Sequence, residues 1–270
     1  MLPYFSAGDF NLYKGDCLDI LADIQNVDMV FADPPYFLSN GGLTIQNGTI
    51  VSVDKGDWDK AKIPIYQFNH NWLSAVRNTL KPGGTIWISG TMHNIFHIYQ
   101  ALEDLGFKIL NVITWRKLNP PPNFSCRTFT HSTEIIIWAR KYKNVPHLYN
   151  YELMKALNGG KQMKDVWDFP SIARWEKKQG KHPTQKPLSL LSRIVLASTQ
   201  KGDLILDPFA GSSTTGIAAS VLDRRYIGIE KEQEFVDISI NRYREFCSNG
   251  KMYYIEKIAG LPQDIAYLNP

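Results

Sequence analysis

The sequence predicts an α/β fold built on a doubly wound parallel sheet, and three observations predict it. Short apolar runs that end in turn signals recur along the chain, and stretches with helical spacing lie between them. The 270 residues, at roughly 150 per domain, allow one or two domains with a sizeable core. The strand candidates are VDMVFADPPY from Val27, GGTIWISG from Gly83, KILNVITW from Lys108, TEIIIWAR from Thr133, GDLILDPFAG from Gly202 and RRYIGIE from Arg224. Such short, nearly continuous apolar runs suit strands buried on both faces. Helical spacing falls at residues 65–80, 93–105, 187–198, 212–222 and 233–246. In such a sheet, ligands bind beyond the carboxyl ends of the strands, where the strand order reverses.

Two stretches break the rhythm. Residues 38–62 are rich in Gly, Asn, Ser and Asp and read as a long loop. Residues 141–182 carry Gly159 and Gly160 and few periodic apolar positions. Loops of this length in a compact domain usually serve function.

An apolar share of 44% with 21% charged residues excludes disorder and collagen-like repeats. The N-terminal MLPYFSAGDF lacks the basic and apolar regions of a signal peptide, and no apolar run approaches about 18 residues. A soluble, cytoplasmic protein without membrane contact is expected. Cys17, Cys126 and Cys247 form no CxxC pair, which argues against disulfides or zinc and for a reducing compartment. His93 and His97 stand four apart, but the Glu of an HExxH site is missing, so no metal is expected there.

Charge is unevenly spread. Residues 116–186 hold 14 Lys and Arg against 5 Asp and Glu, and the rest of the chain 16 against 21. One basic segment on a neutral-to-acidic body points to a polyanionic partner, with a lysine-rich solvated loop as the alternative.

Two motifs carry chemistry. Asp33-Pro34-Pro35-Tyr36 directly follows the apolar run ending at Ala32. Two prolines fix φ and remove donors, so the turn is stiff and presents fixed acceptors beside an aromatic ring. Such a group suits a flat molecule bearing an exocyclic NH2, gripped by the acceptors while Tyr36 stacks on the ring. The second motif, Asp207-Pro-Phe-Ala-Gly-Ser-Ser-Thr-Thr-Gly216, follows the strand 204–206. Its small residues let a ligand approach the backbone at a helix N-terminus. Ile217 and Ala218 stand where a Walker A loop needs Lys and Ser or Thr, and Gly211 and Gly216 alone do not make GxGxxG. Glu230, closing the next strand, is placed to take both hydroxyls of a ribose. These features together fit adenosine without phosphates.

The two motifs in this order resemble the beta group of amino-methylating DNA methyltransferases, in which the DPPY segment precedes the FxGxG segment. Gly15-Asp16-Cys17, Lys81-Pro82-Gly83-Gly84, Trp115 with Lys117, Asn119 and Pro120, Arg127 with His131 and Glu134, and His182-Pro-Thr-Gln-Lys-Pro187 extend the resemblance over roughly residues 10–246. It looks closest to the second methyltransferase of DpnII-type restriction systems, the DpnA kind. The resemblance implies a Rossmann-like methyltransferase sheet with circularly permuted motif order and a target-recognition insertion. The catalytic domain would comprise residues 1–140 and 181–248, the recognition region 141–180 with its basic segment starting near 116, and a C-terminal tail 249–270.

It also implies S-adenosylmethionine as methyl donor and the N6 amine of adenine in DNA as acceptor, with GATC as the site. Single-stranded as well as double-stranded DNA would serve, and a homodimer is common in the family. By the same resemblance Asp33, Pro34, Pro35 and Tyr36 form the catalytic pocket. Asp207, Phe209, Gly211, Ser212, Ser213 and Thr214 line the methionine end of the cofactor. His182, Pro183, Thr184, Gln185 and Lys186 close over it, Glu230 holds the ribose, and Asp16 with Cys17 lies near the adenosine. Ser213 departs from the usual Gly, so the backbone would approach less closely there. Lys117, Asn119, Asn123, Arg127, Lys161, Lys164, Lys177 and Lys178 are candidates for DNA contact, and Phe124, Phe129 and Trp167 for stacking. Relatives acting on cytosine or glutamine more often show SerProPro or AsnProPro. A DNA cytosine-N4 methyltransferase and a non-catalytic nucleic-acid-binding module remain the alternatives.

Overall fold

In the computed structural model, residues 1–37, 43–46, 49–52, 59, 63–123, 126–180, 182–258 and 260–261 are described. In chain order the elements are β1 (Phe5–Ala7), β2 (Phe10–Lys14), α1 (Cys17–Ile20), β3 (Val27–Ala32), β4 (Leu43–Gln46), β5 (Thr49–Ser52), α2 (Ile65–Thr79), β6 (Leu80–Gly90), α3 (Ile95–Asp104), β7 (Lys108–Lys117) and β8 (Thr133–Arg140). There follow α4 (Tyr151–Leu157), β9 (Val166–Phe169), α5 (Leu188–Ser198), β10 (Leu204–Asp207), α6 (Thr214–Val221), β11 (Arg225–Glu230), α7 (Gln233–Asn249) and α8 (Lys251–Lys257).

Nine strands form one sheet in the order β1-β2-β11-β10-β3-β6-β8-β7-β9. Its centre, from β2 through β11, β10 and β3 to β6, is parallel. The parallel order expected from the sequence holds through this centre and gives way at the edge strand β1, antiparallel to β2, and at β8, which runs antiparallel to both β6 and β7. At β8 the cause is the 118–132 connection, which has no helix among its described residues. Without a crossover helix the chain returns directly beside β7.

Alternation along β3 shows why helices cover both faces. Met29 and Phe31 point into a core shared with α5, α6 and α7, while Val30 and Ala32 point into a second core shared with α2 and α3. A strand whose odd and even residues are both apolar needs a layer on each side. From β3 the chain passes through α2 to β6 on one side, and from β10 through α6 to β11 on the other. The order therefore reverses between β3 and β10.

The reading of 38–62 as a long loop is corrected. Within 38–62, β4 and β5 pair as an antiparallel hairpin. Within 141–180, β9 extends the sheet beside β7, and Leu153, Met154, Trp167 and Phe169 join the main core. The C-terminal stretch begins as α8, which buries Tyr254 and Ile255.

Candidate active site

Asp33 follows the last residue of β3, and Asp207 ends β10. These strands are adjacent and parallel, with Leu206 opposite Val30, so both aspartates emerge at the same edge, at the switch point. Between them lies a cavity of about 350 Å³, lined by Asp16, Cys17, Asp33, Pro35, His182, Thr184, Gln185, Lys186, Asp207, Phe209, Gly211, Ser212, Thr214 and Glu230. Pro34, Tyr36, Pro183 and Ser213, assigned to the site from the sequence, are not among its lining residues.

In the Asp33 half, the carboxylate accepts from Tyr36 Oη at 2.6 Å and from Lys186 Nζ at 2.6 Å. Burial pushes the Asp33 carboxyl above its usual range, against the lowering by Lys186. Burial would also lower Lys186, but Asp33 and Glu134 together raise it, so it stays an ammonium. Tyr36 is raised by burial and then by Asp33, so its phenol remains a donor. The residue is 5% exposed, and its ring lies under Lys186, 5.2 Å from ring centroid to Nζ. The stacking surface expected from the sequence is thus covered, and the hydroxyl makes the contact instead.

Two residues that sequence reasoning missed hold this turn. Asp59 accepts from the backbone N–H of Tyr36 at 3.1 Å and of Phe37 at 2.8 Å. Those are the first donors after two prolines, and Phe37 has a positive φ of 58°. Asn94 donates to the Pro35 carbonyl at 3.3 Å. Neither carried a sequence signal, because a lone Asp in a polar loop and an Asn just before a helix are common.

In the other half, Asp207 accepts from Thr215 Oγ1 at 2.6 Å and from the Phe209 N–H at 3.1 Å. Glu230 accepts three backbone N–H groups: Gly211 at 2.7 Å, Lys231 at 2.8 Å and Glu232 at 2.8 Å. Burial nonetheless pushes both carboxyls up to about 7. Gly211 has φ +52°, and a Cβ there would stand 2.9 Å from His182 Nε2, so glycine is what lets the 182–186 turn close over the loop. Ser213 is fully buried with φ 53°, and its Oγ faces Tyr226 rather than the cavity, accepting from Tyr226 Oη at 3.4 Å. Arg242, also missed, braces the loop from α7, with Nη1 donating to the Ser212 carbonyl at 2.6 Å and to Thr214 Oγ1 at 2.9 Å.

Asp16 caps α1 through the Leu18 N–H at 3.1 Å. The Cys17 thiol is pushed to about 12 by burial and then by Asp16, so it acts as an apolar wall. Phe68, Asn71 and Trp72 of α2 complete the lining, with Phe209 edge-on to Trp72 at 5.3 Å. Their helical spacing in the sequence did not separate cavity wall from core.

The basic segment is less uniform than its charge count. Lys117 Nζ binds Glu134 Oε1 at 2.6 Å, Asn119 accepts from the Ser171 N–H, and Asn123 donates to Thr128. Trp167 is buried, with its Nε1 on the Lys164 carbonyl and Arg193 over its ring, so it is core and not a stacking surface. Arg127, Lys161, Lys164, Lys177 and Lys178 are exposed, and Phe129 is 97% exposed. Phe124 lies outside the described residues.

Residues 27–241 match the family described as DNA methylase, N6_N4_Mtase, a span that opens at β3 and contains both aspartates. The chain belongs to that family. This methylase is 60% identical over 262 residues to the type II methyltransferase M2.MboI of Moraxella bovis, covering 95% of this chain and 96% of that one. It is 55% identical to the type II methyltransferase M2.DpnII of Streptococcus pneumoniae, covering 89% and 91%. Among solved structures it resembles the M1.HpyAVI–SAM complex, with TM-score 0.66, 29% identity and coverage of 86% of this chain and 98% of that one. The PvuII cytosine-N4 DNA methyltransferase matches with TM-score 0.71 at 18% identity, covering 90% and 89%, a likeness of fold alone. Among the described residues no helix is long and apolar enough to cross a membrane.

Proposed function

We propose that this methylase transfers a methyl group from S-adenosylmethionine to the N6 amine of adenine in GATC sites, as the second methyltransferase of a DpnII-type restriction system. Single-stranded as well as double-stranded DNA serves as substrate in this reading, in the cytoplasm, with a homodimer as the working form. One observation carries it: an acceptor carboxylate at Asp33 and a glycine-turn loop at 207–214 open into the same cavity.

The cavity fits the cofactor. Its size lies within the roughly 300–1,000 Å³ of ligand sites. Two buried carboxylates, Asp207 and Glu230, suit an ammonium and ribose hydroxyls and repel phosphates. Glu230 Oε2 accepts one N–H and keeps acceptor capacity for a hydroxyl, and the Gly211 cradle leaves backbone within reach. When bound, S-adenosylmethionine supplies an electrophilic methyl group.

The adenine amine is a poor nucleophile because its lone pair is delocalised into the ring. Asp33, fixed by the two prolines and by Tyr36, accepts a hydrogen bond from that amine, favours a pyramidal nitrogen and holds it in line for attack. Orientation of this kind is worth up to about 7–11 kcal/mol of barrier. The same carboxylate stabilises positive charge developing on nitrogen, and the proton leaves after transfer. The target base must first leave its stack, which an unpaired strand permits at lower cost.

A panel of short oligonucleotides, single- and double-stranded, with and without GATC, tests the reading. Labelled methyl is expected in N6-methyladenine from GATC strands of both kinds. Label in N4-methylcytosine, or none at all, contradicts it.

A further inference from the structure

Lys186 takes up one acceptor site of the carboxylate that the mechanism uses. Its Nζ lies 2.6 Å from Asp33 Oδ2, 2.9 Å from Tyr36 Oη and 3.2 Å from the Thr184 carbonyl, on a side chain only 5% exposed. An amine donating to Asp33 Oδ2 has to share that oxygen with an ammonium already on it. A buried lysine pulled off its carboxylate with nowhere to go would leave an uncompensated charge, which is strongly unfavourable.

The structure offers it a second place. Glu134 Oε2 stands 3.7 Å from Lys186 Nζ on a side chain 11% exposed, and this atom is buried without a hydrogen-bond partner among the described residues. Its sister atom Oε1 is held by Lys117, which fixes the carboxylate while leaving Oε2 open. Burial raises the Glu134 carboxyl, but Lys186 and Lys117 outweigh it and hold the group below its usual range, so Glu134 remains an anion. The ion pair with Lys186 is long, so this oxygen lacks a full hydrogen bond, and a buried acceptor in that state costs free energy. A small shift of Nζ would complete the bond.

We propose that Lys186 is a positioning residue with two seats: it locks Asp33 in the free enzyme and moves onto Glu134 Oε2 when the exocyclic amine of the target base donates to Asp33. One ammonium then serves two carboxylates in turn, and no buried charge is left alone in either state. The proposal rests on the amino-methyltransferase reading, because only a base that bears an amine needs the Asp33 oxygen. Glu134 is the second residue of β8 and Lys117 the last of β7, so this seat also lies at the root of the 118–132 connection.

Binding measurements test it without relying on turnover. Fluorescence anisotropy is read for the full chain with sinefungin, an unreactive cofactor analogue. The DNA carries at the target position either adenine or purine, which lacks the 6-amine. Glu134→Gln, which keeps the shape and removes the charge, is expected to weaken adenine DNA about tenfold, the scale of one charged hydrogen bond, and purine DNA by less than about twofold. Glu134→Asp, which retracts the seat, is expected to show the same amine-dependent pattern, and Lys117→Met is not. In a Lys186→Met background the Glu134→Gln effect should vanish. Equal weakening of both DNAs, or a Glu134→Gln effect that survives without Lys186, overturns the proposal. Wild-type protein that binds adenine and cytosine targets alike would contradict the adenine reading alone, since both bases carry the amine on which the two-seat proposal depends, whereas wild-type protein that binds adenine and purine DNA alike would overturn the two-seat proposal.

Discussion

Asp33 draws its character from its neighbours more than from its own type. Tyr36 Oη and Lys186 Nζ each hold one carboxylate oxygen, so it is the hydroxyl of the tyrosine that meets Asp33. Tyr36→Phe is therefore expected to lower kcat about 5- to 10-fold, the worth of one hydrogen bond, with the cofactor Kd unchanged. Wild-type kcat in that variant would restore the stacking reading. Ser213 shows the opposite case, a departure from glycine that the backbone has to absorb. Its left-handed φ of 53° costs roughly 1–2 kcal/mol for a residue with a Cβ. After the extra chain entropy of glycine, Ser213→Gly is expected to stabilise by about 0.5–1 kcal/mol in denaturant unfolding. A loss of stability would show that the Ser213–Tyr226 contact outweighs the strain. The types of Asp33, Asp207 and Glu230 were legible because their motifs are rare and strand-anchored. The direction of the Tyr36 ring was not, since a ring can serve by its face or by its hydroxyl.

At the scale of elements, the site is the meeting of two parallel strands that lie far apart in sequence. The apolar runs at 27–32 and 204–207 were legible because buried parallel strands read as nearly continuous hydrophobic segments. The antiparallel insertion of β8 was not, because the run TEIIIWAR carries no mark of its direction. β9 and α4 were missed for a different reason. Four residues of strand give too short a period to detect, and the surrounding lysines read as loop. The turn after β3 depends on Asp59, which supplies the acceptor for the two N–H groups that follow the prolines. Asp59→Ala should leave two buried donors unpaired, lowering unfolding free energy by about 1–3 kcal/mol and kcat with it. Unchanged kcat alongside reduced stability would separate that turn from the chemistry.

For the whole molecule, the cavity is held at a cost to stability. Burial pushes the Asp207 and Glu230 carboxyls up to about 7 in the folded state, against ordinary carboxyl values near 4 when unfolded. The folded state thus binds more protons than the unfolded state between those values. Stability from these two groups falls as pH rises from about 4 to 7, and the full penalty, on the order of 3–4 kcal/mol each, stands above 7. The cofactor-free protein is expected to melt at a higher temperature at pH 6 than at pH 8, and Asp207→Asn should flatten that slope. A melting temperature that rises from pH 6 to pH 8 in the wild type and not in the variant would reverse the sign.

The claim that base pocket and cofactor site are separate halves of one cavity is tested most directly by Asp33→Ala. Cofactor binding by calorimetry and methyl transfer to a GATC oligonucleotide are measured side by side on the same preparation. Transfer should disappear, while the Kd for S-adenosylmethionine stays within about twofold of wild type. Transfer at the wild-type rate, or loss of cofactor binding together with transfer, would contradict that division of the site.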